Sequence, residues 1–193
     1  VLHQYPGAIV QYRFKCRTAG IDLAQYIDQI NVEIDHLCSL RLGDDELDYM
    51  RGLRYIKKDF VDFLALFRLD RKYIDLRPST SVPGQIDLEI TGPWLHTILF
   101  EVPLLAIINA VWFRNTSTAD FVEGERRLAA KTALLRDAPG FENCRIADYG
   151  SRRRYSRAWH GHMLPLIRQQ LGNQFVGTSN VYFARQYGMT PHG

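Results

Sequence analysis

The sequence predicts an α/β protein in two parts: an N-terminal α+β domain over residues 1–140 and, over 141–193, the opening units of a parallel α/β sheet or barrel. Three observations carry this. A period-two run near the N-terminus and two short alternating runs around a Pro/Ser/Gly turn read as antiparallel strands. Apolar patterns at helical spacing fill the stretches between and after them. From Asn143 the chain alternates strand, helix, strand, helix, an order that implies parallel strands joined by right-handed crossovers.

Taken in order, "VLHQYPG" reads as the last turn of a helix stopped by Pro6 and Gly7, and its abrupt start leads us to expect an earlier segment. Val10, Tyr12, Phe14 and Cys16 alternate with Gln11, Arg13, Lys15 and Arg17, giving a strand with one apolar and one basic face; the basic face could also line a cleft. Asp22 is the expected N-cap of an amphipathic helix to Cys38 that carries Leu23, Ile27, Ile30, Ile34 and Leu37 on one side. Asp44 and Asp59 each precede a shorter apolar pattern and are expected to cap it. Tyr73 to Arg77 and Gln85 to Ile90 form a predicted hairpin.

The apolar run from Trp94 to Phe113 has about the length needed to cross a bilayer. It contains His96, Glu101, Pro103 and Asn109, and a charge near mid-span costs on the order of 3 kcal/mol. A buried helix, kinked or restarted near Pro103, fits better, with cover from its own domain or a partner subunit and with Glu101 as a buried structural carboxylate. A further helix is expected from about Thr118 to Arg136, ended by Pro139 and Gly140. "CRIADYG" and "NQFVGT" are then strands, "YSRAWHGHMLPLIRQQL" and "SNVYFARQYG" helices, and "MTPHG" the opening of a third strand. Two parallel strands alone are not a stable sheet, so more chain is expected beyond Gly193.

Composition excludes several classes. A net charge of +3 with both signs interspersed gives little reason to expect a nucleic-acid or acidic partner. Cys16, Cys38 and Cys144 lack paired spacing, which argues against a disulfide framework or zinc ribbon and for the reducing cytoplasm. His160 and His162, two residues apart, fall on different faces of one helix and form no local metal pair. His192 is expected in a loop.

The chemistry is expected at the carboxyl ends of the two parallel strands, where loops converge. "GSRRR" leaves the first and "GTSN" the second, so Arg152, Arg153, Ser179 and Asn180 meet if the strands are neighbours. Arg152, Arg153 and Arg154 sit where a strand hands over to a helix, and positive charge is disfavoured at a helix start. A bound phosphate or carboxylate would reverse that penalty. The alternatives are that the triplet is solvated, that Thr178, Ser179 or Asn180 merely caps a helix, that Asp148 pairs with an arginine, and that Tyr149 belongs to the core.

"DYGSRRRYS" followed by "FVGTSNVYFARQYGMTPHG" resembles the nicotinate phosphoribosyltransferases, whose bacterial members carry D-F-G-T-R-R-R-F-S and F-V-G-T-S-N. "YRFKCR" and "GPWLHTILFEVPLLAIIN" extend the resemblance over essentially the whole chain. It implies the N-terminal portion of an enzyme with a truncated parallel β/α barrel, joining nicotinate to phosphoribosyl pyrophosphate in NAD biosynthesis with coupled ATP hydrolysis. ATP and Mg2+ are the implied cofactors, and a homodimer with a shared active site the implied assembly, with neither nucleic acid nor membrane as partner. The resemblance assigns substrate binding to Tyr149, Arg152, Arg153 and Ser179: Tyr149 as the aromatic on which the pyridine ring stacks, Arg152 as the arginine that addresses it. Ser179 stands where nicotinamide enzymes place an acid. A hydroxyl can donate to a carboxylate, whereas an acid repels it.

No catalytic residue or metal ligand is expected within the chain itself. The family's phosphorylated histidine lies in a G-T-x-A-H motif just past "TPHG", so it is expected beyond Gly193 and is not His192. The family's T-D-x-Y segment is expected before "VLHQYP", and the chain by itself is expected to be inactive. Nicotinamide or quinolinate as the base is the alternative within the fold. A basic nucleic-acid module using Arg126, Arg127 and the triplet is the alternative outside it.

Overall fold

In the computed structural model, which describes residues 3–192, the period-two run becomes β1 (Ile9–Arg13). His3–Gly7 form turns, and the remainder of the expected helical turn lies outside the described residues. Asp22 accepts from the Gln25 N–H at 3.3 Å, but the helix it was expected to cap opens as a 3-10 turn, Ala24–Tyr26, and becomes α1 only at Ile27–Ser39. Next come α2 (Asp44–Arg51) and α3 (Lys58–Leu66). Asp44 and Asp59 lie inside the first turns instead of capping them; Gly43 and Lys57 hold the cap positions. Both carboxylates still face the positive helix end, which is the favourable placement.

The hairpin is β2 (Ile74–Pro78) and β3 (Ile86–Pro93), with Leu76 opposite Leu88. β1 pairs antiparallel on the other side of β3, Tyr12 opposite Ile90, for a sheet order β1-β3-β2. β3, the middle strand, buries Ile86, Leu88 and Ile90 against Ile30 and Ile34 of α1. Arg71 locks α1 to the start of β2, donating to Asn31 Oδ1 at 2.7 Å, the Ile74 carbonyl at 2.7 Å and Asp35 Oδ1 at 3.2 Å. On the basic face of β1, Arg13 pairs with Glu89 at 3.0 Å, while Arg17 lines an open cleft of about 610 Å³ with Cys16 and Gln85.

The apolar run breaks into α4 (Trp94–Thr97), a 3-10 turn Ile98–Phe100, and α5 (Glu101–Thr116). The break therefore precedes Pro103, which sits in the first turn of α5 where its missing N–H leaves no hydrogen bond unmade. One stripe, Phe100, Leu104, Ile108 and Val111, closes the core beneath β3. Ile98 and Val102 at the start of the run are exposed, while Leu104, Ala106, Ile108 and Val111 of α5 are buried. Glu101 is exposed, a correction to its expected burial. By length and composition Trp94–Thr116 passes as a membrane span, and about 33% of its most apolar window is buried inside the chain. The three cysteines are free.

The compact units divide between Trp112 and Phe113, ahead of the expected boundary at 140/141. The second unit thus includes α6 (Phe121–Arg136), capped by Asp120, whose carboxylate accepts from Glu123 N–H at 3.0 Å. α6 packs on α7 (Arg157–Leu171), with Thr132 donating to Gln170 at 2.6 Å and His162 bonded to Glu125 at 2.6 Å. An amphipathic helix follows whatever offers its face a partner, and here that partner comes after it in sequence. Between them lies β4 (Ile146–Asp148), and beyond them β5 (Phe175–Thr178) and α8 (Val181–Tyr187). Leu164, Leu171, Phe175, Phe183 and Ala184 form the core of this unit.

Candidate functional site

β4 and β5 are parallel neighbours, with Ala147 opposite Gly177 and Asp148 opposite Thr178. Thr178 also makes a single parallel bridge with Pro191, in the segment where the opening of a third strand was expected. His192 donates its backbone N–H to the Thr178 carbonyl at 3.0 Å, and its ring bonds the Val176 carbonyl at 2.9 Å. All strand ends therefore point one way, and the loops leaving them gather on one edge.

That edge is stitched together through Asp148. Its carbonyl accepts from the Ser179 N–H at 2.8 Å. Its carboxylate accepts from the Gly150 N–H at 2.9 Å, the Thr178 hydroxyl at 2.6 Å and His160 Nε2 at 2.8 Å. Burial by itself would raise the Asp148 carboxyl, but the hydrogen bonds from His160, Thr178 and Gly150 outweigh it and hold the group below the ordinary aspartate range. A second tie joins the loops directly: the Asn180 side-chain amide donates to Ser151 Oγ at 3.0 Å, while its Oδ1 accepts from Phe183 N–H and caps α8. Asn180 is the cap among the three residues considered, and Asp148 pairs with a histidine instead of an arginine.

The arginines are not in a helix start. Gly150–Arg153 form a 3-10 turn, and α7 begins at Arg157 after the Ser156 cap. Arg152 and Arg153 are exposed, and Ser179 is half-buried on the neighbouring turn. Tyr149, 65% exposed, is no core residue; its ring is available for stacking. Arg154 turns inward: burial and then Arg157 push its guanidinium below the usual arginine value, and its Nε is buried with no hydrogen-bond partner. Arg157 lies 4.8 Å over the Tyr182 ring. The arrangement offers cationic forks, an aromatic face and a hydroxyl on one edge, a set suited to a planar anion.

Arg126 and Arg127, by contrast, are both held by Glu123 of their own helix, at 2.6 to 2.8 Å, and the Glu123 carboxyl is lowered to about 2 by those bonds. Sequence reading missed Asp148 as a hub, and with it His160 and Thr178. The one available signal was the polar Asp148 and Thr178 ending otherwise apolar strands.

Residues 1–109 match the family model described as the nicotinate phosphoribosyltransferase N-terminal domain, and residues 144–193 the nicotinate phosphoribosyltransferase family. Nicotinate phosphoribosyltransferase of Xanthomonas axonopodis pv. citri is 69% identical over 193 residues, covering 100% of this chain and 49% of that protein. The Xylella fastidiosa (strain Temecula1) protein of the same name is 67% identical, again over 100% and 49%. Among solved structures, nicotinate phosphoribosyltransferase from Vibrio cholerae has a TM-score of 0.90 at 26% identity, covering 100% of this chain and 46% of its own. The enzyme from Porphyromonas gingivalis has 0.88 at 26%, over 100% and 48%. The chain spans about half the length of the curated relatives it matches.

Proposed function

The chain belongs to the nicotinate phosphoribosyltransferase family, and from that membership we propose that it supplies the base-binding edge of an enzyme making nicotinate mononucleotide for NAD biosynthesis. The pyridine nitrogen forms a bond to C1 of phosphoribosyl pyrophosphate as the C1–oxygen bond to pyrophosphate breaks. The observation that supports the reading is the convergence of the two loops through Asp148 and Asn180, which brings the segments carrying Tyr149, Arg152, Arg153 and Ser179 to the same end of the parallel strand pair. Arg152 pairs with the nicotinate carboxylate, Ser179 donates to it, Tyr149 covers the ring, and Arg153 adds positive charge to the same loop.

ATP coupling and magnesium are part of the proposal through the family alone. Among the described residues no group of three or more His, Cys, Asp and Glu side chains is placed to hold a metal ion, so no step is assigned to either here. The parallel pair and the Thr178–Pro191 bridge are read as the start of a β/α barrel. We place the enzyme in the cytoplasm as a homodimer, the exposed Ile98 and Val102 of the apolar run supporting a second subunit.

In the full-length protein, Arg152→Ala is expected to lower kcat/KM for nicotinate about tenfold or more, the worth of one charge-assisted contact. Unchanged kinetics would refute the assignment. Competition among nicotinate, nicotinamide and quinolinate for labelled phosphoribosyl pyrophosphate decides the base. Nicotinate is expected to win, because a serine at position 179 lacks the negative charge that would repel its carboxylate.

A further inference from the structure

His160 is 2% exposed and Asp148 7%, so neither touches a ligand on the open edge. The imidazole nevertheless ends a continuous chain of hydrogen bonds into both loops. His160 Nε2 meets Asp148 Oδ2 at 2.8 Å, and the Thr178 hydroxyl donates to the same oxygen at 2.6 Å. The Thr178 oxygen in turn accepts from the Asn180 N–H at 3.0 Å, and the Asn180 amide donates to Ser151 of the arginine loop at 3.0 Å. Asp148 Oδ1 holds the Gly150 N–H, one residue past Tyr149.

The direction of these bonds is fixed. His160 Nδ1 is buried with no partner, beside the Phe183 ring at 5.2 Å. A proton there would be an unpaired buried donor, whereas a lone pair is tolerated more easily. The proton therefore sits on Nε2 and faces the carboxylate. Asp148 then receives a bond from His160, Thr178 and Gly150 without donating one, and remains an anion beneath a loop that carries Arg152, Arg153 and Arg154.

Resting on the functional reading above, we infer that His160 is a positioning residue for base recognition: by donating from Nε2 to Asp148 it sets the carboxylate that holds the Tyr149–Arg153 loop in register with the Ser179 turn. It acts on nicotinate through the geometry of two loops and on phosphoribosyl pyrophosphate little.

The test uses the full-length enzyme with His160→Leu, His160→Gln and Thr178→Val, measuring kcat and KM for each substrate separately. His160→Leu is expected to raise the nicotinate KM about fivefold to tenfold and leave the phosphoribosyl pyrophosphate KM within about twofold. His160→Gln, whose amide N–H can still donate, is expected to recover most of the loss. Should His160→Leu fail to fold, Thr178→Val keeps the shape, removes the second donor to the same oxygen, and is expected to raise the nicotinate KM about threefold or more. A nicotinate KM unchanged in every folded variant, or equal rises for both substrates, overturns the inference. The same variants give an activity-independent readout, since the Gly150 and Ser179 amides are expected to exchange hydrogen faster without His160. Wild-type protein that does not turn over nicotinate refutes the functional reading, while unchanged exchange at those amides refutes the positioning role.

Discussion

Replacing Asp148 with alanine is expected to destabilise the protein by about 3 kcal/mol or more, since each buried donor left unpaired costs about 1–3 kcal/mol. The substitution strands the Gly150 N–H, the Thr178 hydroxyl and His160 Nε2, all of which now end on one carboxylate. Urea unfolding of the full-length protein measures it, and a loss below about 1 kcal/mol would mean that water or a neighbour replaces the carboxylate. Acid gives a second view. With its folded pKa depressed, the Asp148 carboxylate contributes its full stabilisation at neutral pH, and that contribution fades as pH falls below the ordinary aspartate range and through the folded value. Asp148→Asn, which cannot titrate, is expected to flatten that part of the stability curve.

Gly177→Ala is the second large effect, also about 3 kcal/mol or more, from a strained backbone compounded by a clash. Gly177 has φ +142°, and a Cβ there would run into the Thr190 carbonyl oxygen and approach His192 Cδ2 to 3.0 Å. The Thr190 oxygen accepts from Thr178 N–H at 3.2 Å, so the added methyl separates β5 from the returning chain beside the Thr178–Pro191 bridge. Gly188→Ala is the control. It has φ +57° but open space around its Cβ, so it carries only the conformational penalty, about 1 kcal/mol. Equal losses at the two positions would mean that the clash relaxes freely; a much larger loss at Gly177 locates it in the strand contact.

Much of this was legible from local pattern. The β1 alternation, the hairpin and the strand-helix-strand-helix order after Asn143 appear as read, because the periods of 2 and 3.6 are imposed by backbone geometry wherever one face is buried. Element ends were read less well: Asp22, Asp44 and Asp59 flank their helices differently from expected, since a carboxylate near a helix start is favourable at several adjacent positions. Arg152, Arg153 and Ser179 were found as candidates because a strand's carboxyl end followed by polar loop residues is a local signal.

By itself, then, the sequence determined which segments are strands and helices, that the last two strands run parallel, and that a basic loop and a hydroxyl-bearing turn leave the same end. Only the tertiary structure decided that α6 joins the second unit, that Glu101 is exposed, and that Asp148 is a hub served by His160, 12 residues on, and Thr178, 30 residues on. The reason is physical. Periodicity records how each element meets an apolar surface, whereas a buried polar group finds its partners by where the packed elements bring them, and no spacing along the chain encodes that.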